Sequence, residues 1–88
     1  MKIFLSGSIS HDKNYKEHFK EARERFHDCH VFDPSQLPPD WSYEKYIKVC
    51  LAELVTCDRI CYVNDVTTSK GSFIESVVAL ACGIEEIV

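Results

Sequence analysis

The chain has 88 residues with a hydrophobic share of 45%, which fits one packed domain and argues against disorder. Its formal net charge of −4, without a clustered excess of basic residues, argues against a nucleic-acid polymer as its partner. No apolar run reaches the length of a membrane span, so we expect no membrane partner.

Strand and helix patterns alternate along the first half of the chain. Residues 2–6 are apolar and predict a strand that ends at a turn at residues 7–8. Residues 14–27 carry apolar side chains at offsets of four, three and four, which predicts a helix with one buried face. A second strand is predicted over residues 29–32, and the proline that follows at position 34 ends it.

The second half repeats this alternation. After an irregular segment at 35–41, Ser42 is expected to cap a second helix, and residues 58–63 predict a third strand. A last helix is predicted over residues 70–82, followed by a fourth strand over residues 84–88. The side chains expected on the inward face of this last helix are Ile74, Val77, Val78 and Ala81.

This order of elements predicts one α/β domain over residues 1–88. Four strands with three helices fit a small, doubly wound, flavodoxin-like parallel sheet with strand order 2-1-3-4. Ligands of such sheets bind outside the carboxyl ends of the strands, where the strand order reverses. The segments at 6–12 and 64–71 would border that crevice.

Two short motifs near the expected crevice carry candidate chemistry. Gly7 lies among serines that could hold phosphate or sugar oxygens, and its missing side chain permits close approach of a ligand. Ser69 is expected to cap the last helix, whose amino end suits an anion, and Glu75 follows one and a half turns later. Taken singly, these motifs are more typical of a plain turn, a helix cap and an exposed glutamate than of a binding site.

Taken together, the motifs IFLSGSI, CDRICYV and Ser-x-Gly-x-x-x-Glu resemble the nucleoside 2-deoxyribosyltransferase family in their order and spacing. The resemblance covers nearly the whole chain, and it is strongest to the 2′-deoxynucleoside 5′-phosphate N-hydrolases and to a branch of very short domains. It implies cleavage of an N-glycosidic bond, or deoxyribosyl transfer, on a small nucleoside or nucleotide. We expect no cofactor.

The resemblance also implies roles for individual residues. Glu75 corresponds to the nucleophile that attacks the anomeric carbon, and Asp58 to the residue that helps to protonate the leaving base. The positions of Ser8 and Ser69 bind sugar or phosphate oxygens. The other residues expected at the substrate are Gly7, Ile9, Ser10, Asp65 and Gly71.

Three residues depart from the family pattern. Phe4 replaces a frequent tyrosine, Cys50 replaces an aspartate of many members, and Ser10 replaces an arginine of the hydrolases. The alternative is therefore a non-catalytic nucleotide-binding module of the same fold, while the presence of both Glu75 and Asp58 favours an enzyme. A purely structural partner subunit is a third and weaker interpretation.

The remaining residues bear on compartment and metal binding. Five cysteines without a CxxC pair favour a reducing compartment, and no signal-peptide pattern precedes the first strand, so we expect a cytoplasmic protein. His27 and His30 lack a second cluster of ligands, so we expect no metal site.

Two aromatic residues before and at the start of the second helix have open interpretations. Trp41 and Tyr43 either stack on a base, if the segment 35–41 folds over the crevice, or pack in a core or interface. A domain this small leaves apolar surface around its second and third helices, including Tyr46 and Trp41. We therefore expect a homodimer or a larger homo-oligomer.

Overall fold

A four-stranded parallel sheet forms the centre of the computed structural model, which describes residues 1–64 and 70–88. Within these residues the strands lie in the order β2-β1-β3-β4. The strands are β1 (Lys2–Ser6), β2 (His30–Phe32), β3 (Arg59–Tyr62) and β4 (Glu85–Glu86), and the helices are α1 (Tyr15–Arg25), α2 (Tyr43–Leu54) and α3 (Lys70–Ala81), with a 3-10 helix at Pro34–Gln36. The predicted α/β fold and its strand order 2-1-3-4 are confirmed.

The central strand β1 faces a separate hydrophobic core on each side of the sheet. Ile3 and Leu5 pack against α1, while Phe4 faces α2 and α3, because successive side chains of a strand point to opposite faces. Ser6 shares the face of Phe4 and is fully buried, although it is polar. The sheet therefore directs a hydroxyl group toward the helices at the carboxyl end of β1.

Two helix ends have clear local causes, and the first of them, the cap at Ser42, was predicted from the sequence. The side chain of Ser42 accepts a hydrogen bond from the backbone N–H of Lys45 and so caps α2. Gly83 follows α3 with a φ of 70°, a left-handed conformation that glycine adopts without strain. No helix of the described ranges, 1–64 and 70–88, is long and apolar enough to cross a bilayer.

The inward face of α3 differs from the prediction. Ser72, Glu75 and Ala79 are the buried residues of this helix, whereas Val77 and Ala81 are exposed to solvent. The predicted inward face was therefore wrong at Val77 and Ala81. The other two residues predicted there, Ile74 and Val78, are half-buried. The helix is rotated so that two polar side chains face the protein and several apolar ones face water.

The loop after β1 is held by Asn64, which follows β3. The side-chain oxygen of Asn64 accepts from the Ser8 N–H at 2.8 Å, and its nitrogen donates to the Ser8 carbonyl at 2.9 Å and to Asp12 at 2.7 Å. A Cβ atom added at Gly7 would lie 2.5 Å from Val63 Cγ2 and 2.7 Å from the Asn64 oxygen. Only glycine therefore lets this loop close onto the end of β3.

We expect Gly7→Ala to destabilise the protein by about 1–3 kcal/mol, because the added methyl group overpacks the contact with β3. Gly71→Ala is the matched control, since its Cβ would meet its nearest neighbour, the Tyr43 hydroxyl, at 3.7 Å. Alanine also favours the helix, so this variant should be neutral or more stable by up to about 1 kcal/mol. Urea unfolding of both proteins tests the difference, and equal stabilities would contradict the close packing at Gly7.

Candidate functional site

A cleft of about 510 Å³ lies at the carboxyl end of β1. Its walls come from the loop after β1, the segment after β2, and the amino ends of α2 and α3. Its volume falls within the usual range of small-molecule sites, and its position is the edge of the sheet at which α/β proteins bind ligands.

Glu75 is the one acidic side chain that lines this cleft within the described part of the chain. Only 4% of the residue is exposed, and its Oε1 accepts a hydrogen bond from the Ser6 hydroxyl at 2.8 Å. The Ser72 hydroxyl lies 3.1 Å from that of Ser6. None of the ion pairs among residues 1–64 and 70–88 includes Glu75. The carboxyl group is thus surrounded by hydroxyls and apolar atoms.

Burial gives the Glu75 carboxyl an unusual acidity. Removal from water raises its pKa from the ordinary 4.5 to about 7, and the hydrogen bond from Ser6 limits this rise. A carboxyl group that titrates near neutrality can serve as a base, an acid or a nucleophile under physiological conditions.

Tyr46 and Cys50 of α2 stand next to Glu75. They share a hydrogen bond, and burial is the main cause of the raised pKa of both groups, with the charge of Glu75 as a further cause. The pKa of the Cys50 thiol reaches about 12, so this fully buried group is neutral at physiological pH. Position 50, beside Glu75, therefore holds no charge.

Aromatic side chains form much of the cleft wall. Tyr15, Trp41, Tyr43 and Tyr46 all line it, together with residues 34–39 except Gln36. The segment before α2 therefore does fold beside the crevice, and Trp41 and Tyr43 face the cleft rather than a core. Lys45 Nζ lies 4.4 Å from the centre of the Trp41 ring. Flat, partly exposed rings are suited to stack on a planar ligand such as a nucleobase.

The structure brings several of the predicted site residues together. Gly7, Ile9, Ser10 and Gly71 line the cleft with Glu75. Ser8 is buried instead, and its hydroxyl accepts from the His11 N–H at 3.1 Å, so it shapes the loop and does not line the cleft. The predicted binding residues Asp65 and Ser69 lie outside the described residues.

Asp58 does not lie beside Glu75, and that expectation was wrong. Asp58 precedes β3 at the amino end of the sheet, where its carboxylate accepts from the Lys2 N–H at 2.8 Å. Glu75 is bonded to Ser6, at the opposite end of β1. The strand advances four residues from Lys2 to Ser6, which corresponds to about 13 Å. Asp58 is exposed and ties β3 to β1, so it takes no part in the cleft.

The hydroxyl partner of Glu75, Ser6, was not predicted from the sequence. A signal for Ser6 was present, because strand alternation puts it on the same buried face as Phe4. A serine at such a position requires a hydrogen-bonding partner within the protein. His11, which also lines the cleft, gave no comparable signal, since its position depends on how the loop folds.

Comparison with known proteins identifies the family. The family model described as "Domain of unknown function (DUF4406)" matches residues 1–88, so the chain belongs to this family. A search of curated proteins finds no match. Within residues 1–64 and 70–88, no group of three or more His, Cys, Asp or Glu side chains is placed to hold a metal ion.

We expect Glu75→Gln to stabilise the free protein above pH 7. The folded protein binds the Glu75 proton more tightly than the unfolded chain does, because the pKa rises from 4.5 to about 7 on folding. The contribution of the protonated group to stability is therefore complete below pH 4.5 and is lost as the pH rises through 7. The loss amounts to about 3 kcal/mol, and glutamine avoids it.

Urea unfolding below pH 4.5 and above pH 7 tests this expectation. The two proteins should be about equally stable at the lower pH and differ at the higher one. Glu44→Gln, which removes an exposed carboxyl group from the first turn of α2, is the control for a change of surface charge. A gain of stability that is the same at both pH values would contradict the buried titration of Glu75.

Proposed function

We propose that this DUF4406 protein cleaves the N-glycosidic bond of a nucleoside or nucleotide, or transfers its deoxyribosyl group, with Glu75 as nucleophile. The observation that carries the proposal is the buried carboxyl group of Glu75 in an aromatic-walled cleft, bonded to a hydroxyl and paired with no cation among the described residues. Positive charge develops at the anomeric carbon in an oxocarbenium-like transition state. A carboxylate without a competing cation stabilises that charge effectively.

The proposed reaction has two steps. A carboxylate oxygen of Glu75 first bonds to C1′ while the bond from C1′ to the base nitrogen breaks, and the base takes the electron pair and a proton. Water or an acceptor base then bonds to C1′, loses a proton, and releases the Glu75 carboxylate. Water as the second reactant gives hydrolysis, and a second base gives transfer.

The proton for the leaving base needs a donor other than Asp58. Cys50 does not line the cleft, and the raised pKa of the Tyr46 hydroxyl makes it a poor acid. His11 lines the cleft and is exposed, and imidazole is the side chain that most often serves as a general acid. We therefore assign the donor role to His11.

His11→Gln should slow release of ordinary bases and spare a leaving group that departs without a proton.

The cleft favours a small molecule as the partner. A volume of about 510 Å³ accommodates a ligand of nucleoside size, and the tyrosines and Trp41 offer flat surfaces for its base. The net charge of −4 does not favour a nucleic-acid polymer. The five cysteines, all within the described residues, are free thiols, which supports a reducing, cytoplasmic setting.

The second candidate is a nucleotide-binding module without catalysis. The observation that favours it is the neutral Cys50 beside Glu75, together with the position of Asp58 at the far end of the sheet. Such a protein would bind the nucleotide in the same cleft and leave its glycosidic bond intact. Binding without base release therefore distinguishes the two candidates.

We expect the parent protein to release base from deoxynucleosides or their 5′-monophosphates, as followed by chromatography. Glu75→Ala should abolish release, while Glu75→Gln should still bind substrate, because it keeps the shape of the side chain. A 2-deoxy-2-fluoro nucleoside should leave one sugar on Glu75, which intact mass and peptide mapping can locate. Glu44→Gln is the control for a surface glutamate.

Two results would contradict this mechanism. Base release by Glu75→Ala at the parent rate would remove Glu75 from the reaction. Binding without release by the parent protein, over a panel of nucleosides and nucleotides, would support the binding module instead.

We expect kcat/KM to rise with pH around 7 for a substrate whose leaving group departs without a proton, because the nucleophile must be ionised and its pKa is about 7, while no acid is then required. Ser6→Ala should move this rise to higher pH, since the lost hydrogen bond normally lowers the pKa of Glu75. Ser76→Ala is the matched control, because its hydroxyl contacts Tyr62 and the Ser72 carbonyl and not Glu75. A rise that stays in place or moves to lower pH in Ser6→Ala would refute the assignment.

A further inference from the structure

Helix α3 presents an apolar stripe to solvent. Phe73, Val77 and Leu80 are 68%, 53% and 84% exposed, and their spacing of four and three puts them on one face. From Gly71 to Ala81 the helix carries one charged residue, the buried Glu75. A contiguous apolar patch on the surface of a protein often marks an interaction site, because water is an unfavourable neighbour for such side chains.

A groove runs beside the stripe, between α3 and the edge strand β4. Its volume is about 530 Å³, and its lining includes Ile60, Tyr62, Ala79, Leu80 and Ile84. The same surface therefore offers both a ridge and a depression. A surface with both features can pack against a copy of itself.

We propose that a second copy of this chain docks on this face, with the two α3 helices antiparallel about a twofold axis near Val77. Phe73 and Leu80 lie four and three residues from Val77. Phe73 of one copy would therefore contact Leu80 of the other across the axis. The stripe is about 10 Å long at the rise of an α-helix. The antiparallel arrangement also opposes the two helix dipoles favourably.

Charge supports a second copy as the occupant. Lys70 is exposed at the amino end of the stripe, three residues before Phe73. At the other end lie exposed Glu85 and Glu86, with Arg59 3.7 Å from Glu85, so this end carries a net charge of −1. An antiparallel pair brings each Lys70 to the acidic end of the partner. Because the axis is twofold, this contact between Lys70 and the acidic end occurs twice in the dimer.

This surface replaces the one expected from the sequence. Tyr46 and Trp41, which were expected to mark the interface, are half-buried and line the cleft. An uncharged stripe is also the place where two chains of net charge −4 can meet with little repulsion. The additional burial suits a domain of this small size.

Sedimentation equilibrium of the parent protein tests the proposal, with the expected mass rising from one chain to two as concentration increases. Val77→Glu puts two carboxylates opposite each other at the axis and should weaken the dimer at least about 100-fold. Val55→Glu is the matched control, because Val55 is also 53% exposed but follows α2. It should leave the dimer unchanged, and circular dichroism confirms that both variants are folded.

A charge exchange tests the orientation of the pair. Lys70→Glu should weaken the dimer, and adding Glu85→Lys and Glu86→Lys to it should restore association. A parent protein that stays monomeric at every concentration would overturn the proposal and leave the stripe for a different protein. The proposal would also be overturned if Val77→Glu dimerised as strongly as the parent protein, or if Val55→Glu weakened the dimer as much as Val77→Glu does. These measurements follow mass and not activity, so their failure is distinct from a failure of the proposed reaction.

Discussion

The hydrogen bond from Ser6 to Glu75 joins the end of β1 to α3 across 69 residues of sequence. A buried carboxyl group must be hydrogen-bonded within the protein, because it has lost its contacts with water. This requirement fixes the rotation of α3, since Ser72 and Glu75 must both face inward. The apolar residues on the opposite side, Val77 among them, are then turned to solvent. The candidate site and the exposed stripe are thus two consequences of one constraint.

The surroundings of Glu75 favour a site that stabilises positive charge. Its neighbours Ser6, Tyr46 and Cys50 are all neutral at physiological pH, and no ion pair of the described residues involves it. An arginine beside Glu75 would keep the carboxylate ionised but would neutralise its charge before any substrate arrived. In the proposed reaction, the sugar itself supplies the missing positive charge as its bond to the base breaks. The stability lost by ionising Glu75 is then recovered in the transition state.

The sheet, its strand order and the edge that holds the cleft follow from patterns that the sequence displays, because short apolar segments alternate with amphipathic ones. The orientation of α3 does not, since its apolar residues occur on every side and only the tertiary partner Ser6 decides between them. Asp58 shows a different limit. Its place before a parallel strand already assigned it to the amino end of the sheet, yet the family resemblance suggested a catalytic role. The aromatic wall depended on the path of an irregular segment, which local propensities do not determine.

The two proposals meet at Lys70, which both lines the cleft and begins the stripe on α3. Its ammonium group lies 6.0 Å from the centre of the Tyr43 ring, so in the single chain it stands over the wall of the cleft. Acidic residues of a docked partner would compete for this ammonium group and draw it away from Tyr43. An anionic substrate would compete in the opposite direction, because both Lys70 and the amino end of a helix favour negative charge. Binding of an anionic substrate and formation of the dimer would then be coupled through this one side chain. Each event would lower the affinity of the other by the same factor.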